Sequence, residues 1–276
     1  MDGSVTTLER KDLTIHIYSA PPEGFAVNTI VLELTDRLIV VDGQMAQAYA
    51  AEAGDVLQGL GKRIDRFVLS HTHPDHYSGF QYLTSRFPGV QLAALPAVRE
   101  HVLAKGDQVL AVRRSLFGDQ IANRAVIPDA TIVPGELTIA GVRFLFQQYD
   151  ETEAEHTLAV VLPDSGVALL GDMVASANEH LFTVQPHFDA WAAALLRVRT
   201  DIARYGITTI VPGHGAPIGP EALPANLEYL QVVKEVYAHA GTSEEFLAGV
   251  AARLPDRGPQ AWVDWSSRML YGHVAP

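Results

Sequence analysis

One short segment combines three imidazoles with a carboxylate, and it reads His71-Thr72-His73-Pro74-Asp75-His76. It follows the apolar run Phe67-Val68-Leu69, which predicts a buried strand. In an extended backbone, residues two positions apart point the same way, so His71 and His73 can contact one ion together. Pro74 then turns the chain and lets Asp75 and His76 diverge toward a second position. These residue types at this spacing predict a metal site at the end of a strand.

This segment resembles the H-x-H-x-D-H signature of the metallo-β-lactamase superfamily of metallohydrolases. The likeness continues at Leu169-Leu170-Gly171-Asp172, which resembles the strand-end Gly-Asp of that family. It also continues at Val211-Pro212-Gly213-His214-Gly215, which resembles its Pro-Gly-His loop. The resemblance implies an α/β protein built as a four-layer αββα sandwich, in which two mixed sheets are flanked by helices.

The resemblance also implies two divalent metal ions, with zinc expected first and manganese or iron as alternatives. His71 and His73 would bind the first ion. The residues expected at the second ion are Asp75, His76 and His214, with Asp172 bridging the two ions.

The third ligand of the first ion is open between Glu153 and His156. Most relatives place a histidine there, whereas this chain reads Asp150-Glu151-Thr152-Glu153-Ala154-Glu155-His156-Thr157. The spacing back from Asp172 in the family falls on Glu153, and Thr152-Glu153-Ala154 resembles the alkylsulfatase branch, where a glutamate has this role. His156 lies three residues further on, and imidazole is the better zinc ligand by general preference. A glutamate would suit a harder ion such as Mn²⁺ or Fe²⁺ alongside zinc.

The function implied by the resemblance is hydrolysis by a metal-bound hydroxide. Asp75 is the expected catalytic residue, because it can orient the nucleophile and relay its proton. His180 follows the Asp172 strand end and is a candidate for substrate binding. The region after His214 lacks the Lys or Arg that would hold a glutathione carboxylate, which disfavours a glyoxalase II.

We therefore predict a metal-dependent hydrolase of a small, mostly uncharged ester or lactone. One alternative is an iron-dependent oxidoreductase of the same fold, similar to persulfide dioxygenases. Another is a sulfate ester hydrolase similar to the alkylsulfatases.

Composition narrows the class of partner. The chain has 20 basic and 32 acidic residues, a net charge of −12, and its basic residues are scattered, with Arg113-Arg114 among the few adjacent pairs. A nucleic-acid substrate is therefore not expected, since it requires a basic track. Cysteine is absent, so every protein ligand to a metal must be imidazole or carboxylate. No apolar run approaches the ~20 residues of a membrane span. With no visible secretory signal, a cytoplasmic address and a small-molecule substrate are expected.

The predicted organisation is a single domain over residues 1–276, with strands and helices alternating in two halves. Residues 97–124 are helix-prone and could form a lid over the site, because long connections are often functional. Residues 221–276 are predicted to form the C-terminal helices. The three tryptophans are predicted to pack in the core; they are Trp191, Trp262 and Trp265.

Overall fold

Two mixed β-sheets form the centre of this computed structural model, which describes residues 2–273. The first sheet contains β1 (Ser4–Glu9), β2 (Thr14–Ser19), β3 (Asn28–Glu33), β4 (Arg37–Val41), β5 (Arg63–Leu69), β6 (Gln91–Ala94) and β7 (Ala130–Thr131). These strands lie in chain order, antiparallel from β1 to β4 and parallel from β4 to β7.

The second sheet contains β8 (Gly135–Ile139), β9 (Val142–Asp150), β10 (His156–Leu162), β11 (Val167–Gly171) and β12 (Thr209–Pro212). The order is β12-β11-β10-β9-β8, with β11 and β12 parallel and the other pairs antiparallel.

The helices cover the outer faces of the two sheets. Those in the first half are α1 (Gln47–Leu60), α2 (Pro74–Tyr77), α3 (Phe80–Arg86) and α4 (Pro96–Phe117). Those in the second half are α5 (Phe188–Tyr205), α6 (Ala222–His239), α7 (Ser243–Arg253) and α8 (Gln260–Leu270). None of the helices within residues 2–273 is both long and apolar enough to cross a membrane.

Side chains of β10 show how the layers are built. Leu158 and Val160 belong to the core shared with the first sheet, whereas Ala159 and Val161 belong to the core under α5 and α6. This alternation follows from the two-residue period of a strand, because each face of the sheet buries a different layer. The predicted four-layer αββα sandwich is confirmed.

The segment 97–124, predicted as a possible lid, is occupied mostly by α4, a single long helix. Tyr77 in α2 donates a hydrogen bond to the Gly106 carbonyl at 3.3 Å, and the Ala125 amide donates to Asp107 at 2.7 Å. Arg113 and Phe117, near the end of α4, line the cleft described below. Movement of this helix as a lid stays a prediction.

The sequence did not predict β1, whose side chains are almost all exposed and carry no buried apolar face. The C-terminal helical segment predicted for residues 221–276 contains α6, α7 and α8. Residue 1 and residues 274–276, at the ends of the predicted domain 1–276, lie outside the described residues.

Loops of both sheets meet at one edge of the sandwich. The Leu158 amide donates to the Ser70 carbonyl at 2.8 Å, which joins the start of β10 to the end of β5. The Asn28 side chain donates to the carbonyls of Pro212 and Gly215 at 2.9 and 2.8 Å. The loops that follow β5, β11 and β12 are thereby held next to one another.

Candidate metal centre

Two groups of ligand-type side chains lie at this edge and share one carboxylate. The first group is His71, His73, Glu153 and Asp172. The second group is Asp75, His76, Asp172 and His214. Within each group, one nitrogen or oxygen of every member lies within 4.8 Å of the others. The structure thus brings together all the predicted ligands except His156.

The first group is built around a buried glutamate. His73 Nδ1 lies 2.6 Å from Glu153 Oε1, and His71 Nε2 lies 3.6 Å from Glu153 Oε2. His71 Nε2 is also 3.6 Å from Asp172 Oδ2. The two histidines come from the extended stretch after β5, where their spacing of two places both rings on one side.

The turn between β9 and β10 decides which residue of the uncertain stretch enters the cluster. The Glu151 amide donates to the Glu155 carbonyl at 3.0 Å, and the Thr152 amide donates to the Ala154 carbonyl at 3.1 Å. This tight turn points Glu153 inward, where it is 1% exposed.

His156 instead begins β10, and its Nδ1 is hydrogen-bonded to Asp150 Oδ1 across the strand pair at 2.7 Å. The structure therefore does not bring His156 to the cluster, because its ring points to the partly exposed side of the hairpin.

The second group places two imidazoles against the shared carboxylate. His214 Nε2 lies 3.1 Å from Asp172 Oδ2, and His76 Nε2 lies 3.3 Å from the same oxygen. Asp75 Oδ2 lies 3.4 Å from His214 Nε2 and 3.7 Å from His76 Nε2. Asp75 and His76 belong to α2, which begins at Pro74, a residue well suited to the first turn of a helix.

Hydrogen bonds at the outer nitrogens fix the tautomers of these rings. His214 Nδ1 donates to the Phe25 carbonyl at 2.7 Å, and His76 Nδ1 donates to Asp42 Oδ2 at 2.9 Å. Ser70 Oγ donates to Asp42 Oδ2 at 2.7 Å and accepts from His71 Nδ1 at 2.8 Å. With the proton on Nδ1, the Nε2 atoms of His71, His76 and His214 each carry a lone pair that faces the cluster. This is the arrangement of a metal-binding histidine.

The unpartnered atoms of the cluster fit a cation. His71 Nε2, both Glu153 oxygens and Asp172 Oδ1 are buried without a hydrogen bond. The Nε2 atoms of His76 and His214 face each other at 3.3 Å, and in the neutral forms of these two rings neither Nε2 carries a proton. Buried lone pairs that converge in this way repel one another unless a positive charge lies between them. The donor set therefore fits divalent metal ions.

Gly213 leaves the space that the shared carboxylate needs. A Cβ atom on Gly213 would lie 1.7 Å from Asp172 Oδ1 and 3.0 Å from His76 Cε1. Any side chain at this position would displace Asp172, which explains the glycine in the Pro212-Gly213-His214 loop.

Charges in the cluster depend on one another. Burial lowers the pKa of His214, but the carboxylates of Asp172 and Asp75 outweigh it and raise the pKa to about 10. Burial raises the pKa of Glu153, and the neighbouring His73 offsets this only in part. Asp172 has its pKa held well below the ordinary value, since the surrounding histidines outweigh its burial. The carboxylates thus favour positive charge at the centre of the cluster.

A cleft opens directly over the ligands and contains about 730 Å³ of space, part of it open to solvent. His73, Asp75, Asp172 and His214 form its floor. Its walls are mostly apolar and include Phe25, Met45, Phe117, Phe182, Trp262 and Trp265.

The aromatic wall also holds the ligand rings in place. The Trp262 ring lies edge-on to the His214 ring at 4.8 Å, and the Phe182 ring lies edge-on to the His73 ring at 6.4 Å. The prediction that the tryptophans pack in the core is confirmed for Trp191, which is 1% exposed, and is wrong for Trp262 and Trp265.

The structure does not place His180, the predicted substrate-binding residue, in the wall of this cleft. Its ring is 3% exposed and packs against Tyr229 at 5.7 Å. Burial lowers the pKa of His180 to about 4, so it is a neutral, packed side chain near neutral pH.

Two polar residues of the site were missed from the sequence. Asp42 directly follows β4, has a positive φ of 65° and precedes Gly43. An acidic residue immediately after an apolar strand was the sequence signal that could have identified it. Arg113 appears in the sequence only as one of a few adjacent basic pairs, yet in the structure it is 7% exposed and lines the cleft. The residue pattern of α4 does not indicate which face of the helix lies against the cleft.

The fold and the ligand pattern define a class of protein, and comparison with known families agrees. Residues 22–214 match the family described as the metallo-beta-lactamase superfamily. The chain belongs to this superfamily.

Particular relatives are similar over different lengths. A hydroxyacylglutathione hydrolase of Stenotrophomonas maltophilia (strain R551-3) is 35% identical over 99 residues, which cover 33% of this chain and 36% of that protein. The match thus spans about a third of that curated relative.

Solved structures share the fold at low identity. The metallo-beta-lactamase from Pontibacter korlensis superposes with a TM-score of 0.65 at 18% identity, covering 83% of this chain and 99% of that one. FIM-1 from Pseudomonas aeruginosa, solved in its mono-zinc form, gives 0.63 at 16% identity, covering 84% and 96%.

Proposed function

We propose that this chain is a metal-dependent hydrolase of a small ester or lactone. The observation that carries the proposal is a cluster of buried imidazole and carboxylate donors at the floor of an apolar cleft. Polar chemistry at the bottom of an apolar pocket is the usual arrangement of an enzyme for small molecules. The partial match to a hydrolase supports the same reaction type.

We propose two divalent ions, one in each ligand group, with Asp172 contributing to both. Zinc is the first candidate, because imidazoles dominate the donor set, and Glu153 adds a harder donor that also suits Mn²⁺ or Fe²⁺. Such ions, when bound, acidify water and polarise the oxygen of the bond to be cleaved.

Asp75 is the residue of the chain to which we assign proton transfer. Its Oδ2 faces the two histidines of the second group, and the carboxylate lines the cleft. The other oxygen, Oδ1, is then available to accept a proton from the attacking water and to orient it.

The apolar wall of the cleft would bind the apolar part of the substrate. Trp262 and Phe182 lie beside the ligand rings, so an apolar acyl or alkyl group would pack against them next to the reacting bond. Burial of that group removes apolar surface from water and excludes solvent from the bond.

A sulfate ester is the second candidate, and the observation that favours it is the position of Glu153. A glutamate in place of the common histidine is the feature that resembles the alkylsulfatase branch. The added carboxylate makes the first group more negative than an all-histidine set.

The test is hydrolysis by protein that has been stripped with a chelator and then reloaded with Zn²⁺ or Mn²⁺. We expect the reloaded protein to cleave para-nitrophenyl butyrate or a small lactone, and the stripped protein to be inactive. The variant His71→Ala should lose the activity, whereas His156→Ala, outside the cluster, serves as the matched control. Hydrolysis that survives both the chelator and His71→Ala would contradict the proposal. Cleavage of para-nitrophenyl sulfate alone would favour the second candidate.

A further inference from the structure

Arg113 is a buried cation in the wall of the cleft, near the end of α4. Its side chain is 7% exposed, and it is one of the residues that line the space over the ligands. Among residues 2–273 it forms no hydrogen bond or ion pair, although a guanidinium carries five donors. Its neighbour Arg114, by contrast, pairs with Asp119 and with the Ile121 carbonyl.

The charged and polar groups that act on Arg113 are Asp75 and Tyr77, and neither of them accepts a hydrogen bond from its guanidinium. Asp75 acts on Arg113 electrostatically, but its Oδ2 lies beside His76 and His214. The Tyr77 hydroxyl donates to the Gly106 carbonyl. Burial lowers the pKa of Arg113, and the Asp75 carboxylate opposes this effect. The guanidinium is therefore partly desolvated at the wall of the cleft, and its donors have no protein acceptor among the described residues.

A largely buried guanidinium whose unpaired donors line a cleft can give those donors to a ligand in the cleft, in surroundings where water competes less than at an open surface. Its planar fork matches a carboxylate, to which it can donate two parallel hydrogen bonds. Phe25, Met45 and Phe117 line the same cleft and carry no charge.

We propose that Arg113 binds a carboxylate of the substrate, so that the ester or lactone carries a negative charge beside an apolar group. This inference rests on the proposed function and replaces the sequence-based expectation of a mostly uncharged substrate. Arg113 is then a specificity-determining residue that α4 contributes to the site.

A monoanionic carboxylate fits the position beside Arg113 better than a dianionic phosphate does. Arg113 is the one Lys or Arg side chain among the described residues that line the cleft. The second charge of a dianionic phosphate would have no further Lys or Arg partner in the lining of the cleft.

The attachment of α4 explains how one end of a long helix can hold a ligand group. The Ser78 hydroxyl accepts a hydrogen bond from the Ala122 amide at 3.1 Å, and α2 contacts α4 directly. The segment that carries Asp75 is thereby joined to the segment that carries Arg113. The distance between reacting bond and carboxylate is set by this packing.

The experiment compares phenylbutyrate with phenylbutyramide, which have nearly the same size and differ in charge, by calorimetry on the metal-loaded protein. We expect the wild type to bind the acid about 10-fold more tightly than the amide, or more, as charge-assisted hydrogen bonds allow. In Arg113→Met and Arg113→Gln this ratio should fall about 10-fold, because both remove the charge. Arg113→Lys should keep part of it.

The control is Arg124→Met, which removes the same charge from an exposed position and should keep the wild-type ratio. Any contribution of the metal ions to carboxylate binding is common to all these proteins, so the change in ratio isolates Arg113. An acid-to-amide ratio that is equal in the wild type and both uncharged variants would overturn the inference.

Failure of the proposed function has a different signature. If the loaded enzyme cleaves neither mono-para-nitrophenyl glutarate nor its neutral counterpart, para-nitrophenyl pentanoate, the hydrolase proposal is contradicted. The calorimetric ratio still decides whether Arg113 binds a carboxylate. If both esters are cleaved, the wild type should prefer the charged ester and Arg113→Met should lose that preference.

Discussion

The two ligand groups of the cluster are built in different ways. In the second group, His76 and His214 are each fixed from behind by a hydrogen bond to Asp42 or to the Phe25 carbonyl. In the first group, Glu153 has no hydrogen bond to either oxygen, although it is 1% exposed. Neighbouring residues thus preorganise both histidines of the second group and His71 of the first, whereas Glu153 depends on the ion itself to satisfy its carboxylate.

This difference has a consequence for metal preference. Glu153 makes the first group richer in negative charge and in oxygen donors than a set of three histidines would be. Hard ions gain most from such donors, while the two histidines in each group retain affinity for zinc. We therefore expect the two positions to differ in which ion they hold most tightly, even though Asp172 belongs to both.

The largest expected effect concerns Asp75 in the second group. Asp75→Asn keeps the size and one oxygen donor but removes the charge and most of the basicity. We expect the variant to retain metal and to lose about 100-fold or more in kcat, the usual scale for a positioned general base. Turnover and metal content should be measured on the same preparation. A metal-replete variant that works at nearly the wild-type rate would show that Asp75 does not transfer the proton.

Asp42→Asn tests whether hydrogen bonds behind the ligands organise both groups. Asp42 accepts from His76 directly and from the Ser70 hydroxyl that supports His71. The amide nitrogen of the asparagine side chain would place a donor opposite the donors of His76 Nδ1 and Ser70 Oγ. It would therefore disfavour the tautomers in which Nε2 of His76 and His71 is free to bind metal. We expect a loss of about 10–100-fold in metal affinity, measured by competition with a chromogenic chelator. Unchanged affinity would mean that the two groups do not need this support.

Glu153→Gln should have a smaller effect than Asp75→Asn or Asp42→Asn, and its comparison with His156→Ala tests the first group alone. We expect Glu153→Gln to lower metal affinity about 10-fold, the lower end of the range for changes close to a metal. His156→Ala should leave affinity near the wild-type value, because His156 pairs with Asp150 outside the cluster. Equal effects from both variants would mean that the turn does not select Glu153.

The sequence predicted the parts of the site that follow from local spacing. His71 and His73 are two residues apart in an extended stretch, and Asp75 and His76 follow a helix-starting proline, so their positions depend on neighbours in the chain. Glu153 and His156 could not be separated, because the choice depends on hydrogen bonds within a turn that propensities do not specify.

Residues brought in by tertiary packing were harder to predict. Trp262 and Trp265 have the helical spacing of core residues, and only the position of α8 beside the cleft makes them wall residues. Arg113 likewise becomes a wall residue only through the position of α4 beside the cleft. The main strands and helices were predictable from their apolar periodicity, whereas β1 has an exposed face on both sides and gives no such signal.

The central claim is that the two ligand groups hold one ion each, and elemental analysis of the intact protein tests it most directly. Protein reloaded with Zn²⁺ or Mn²⁺ and freed of excess metal should contain about two ions per chain, as expected for two ligand groups that share a carboxylate. Glu153→Gln should release one of the two at lower chelator concentration than the wild type does. A reproducible value near one ion per chain, unchanged by added Zn²⁺ or Mn²⁺, would contradict the account.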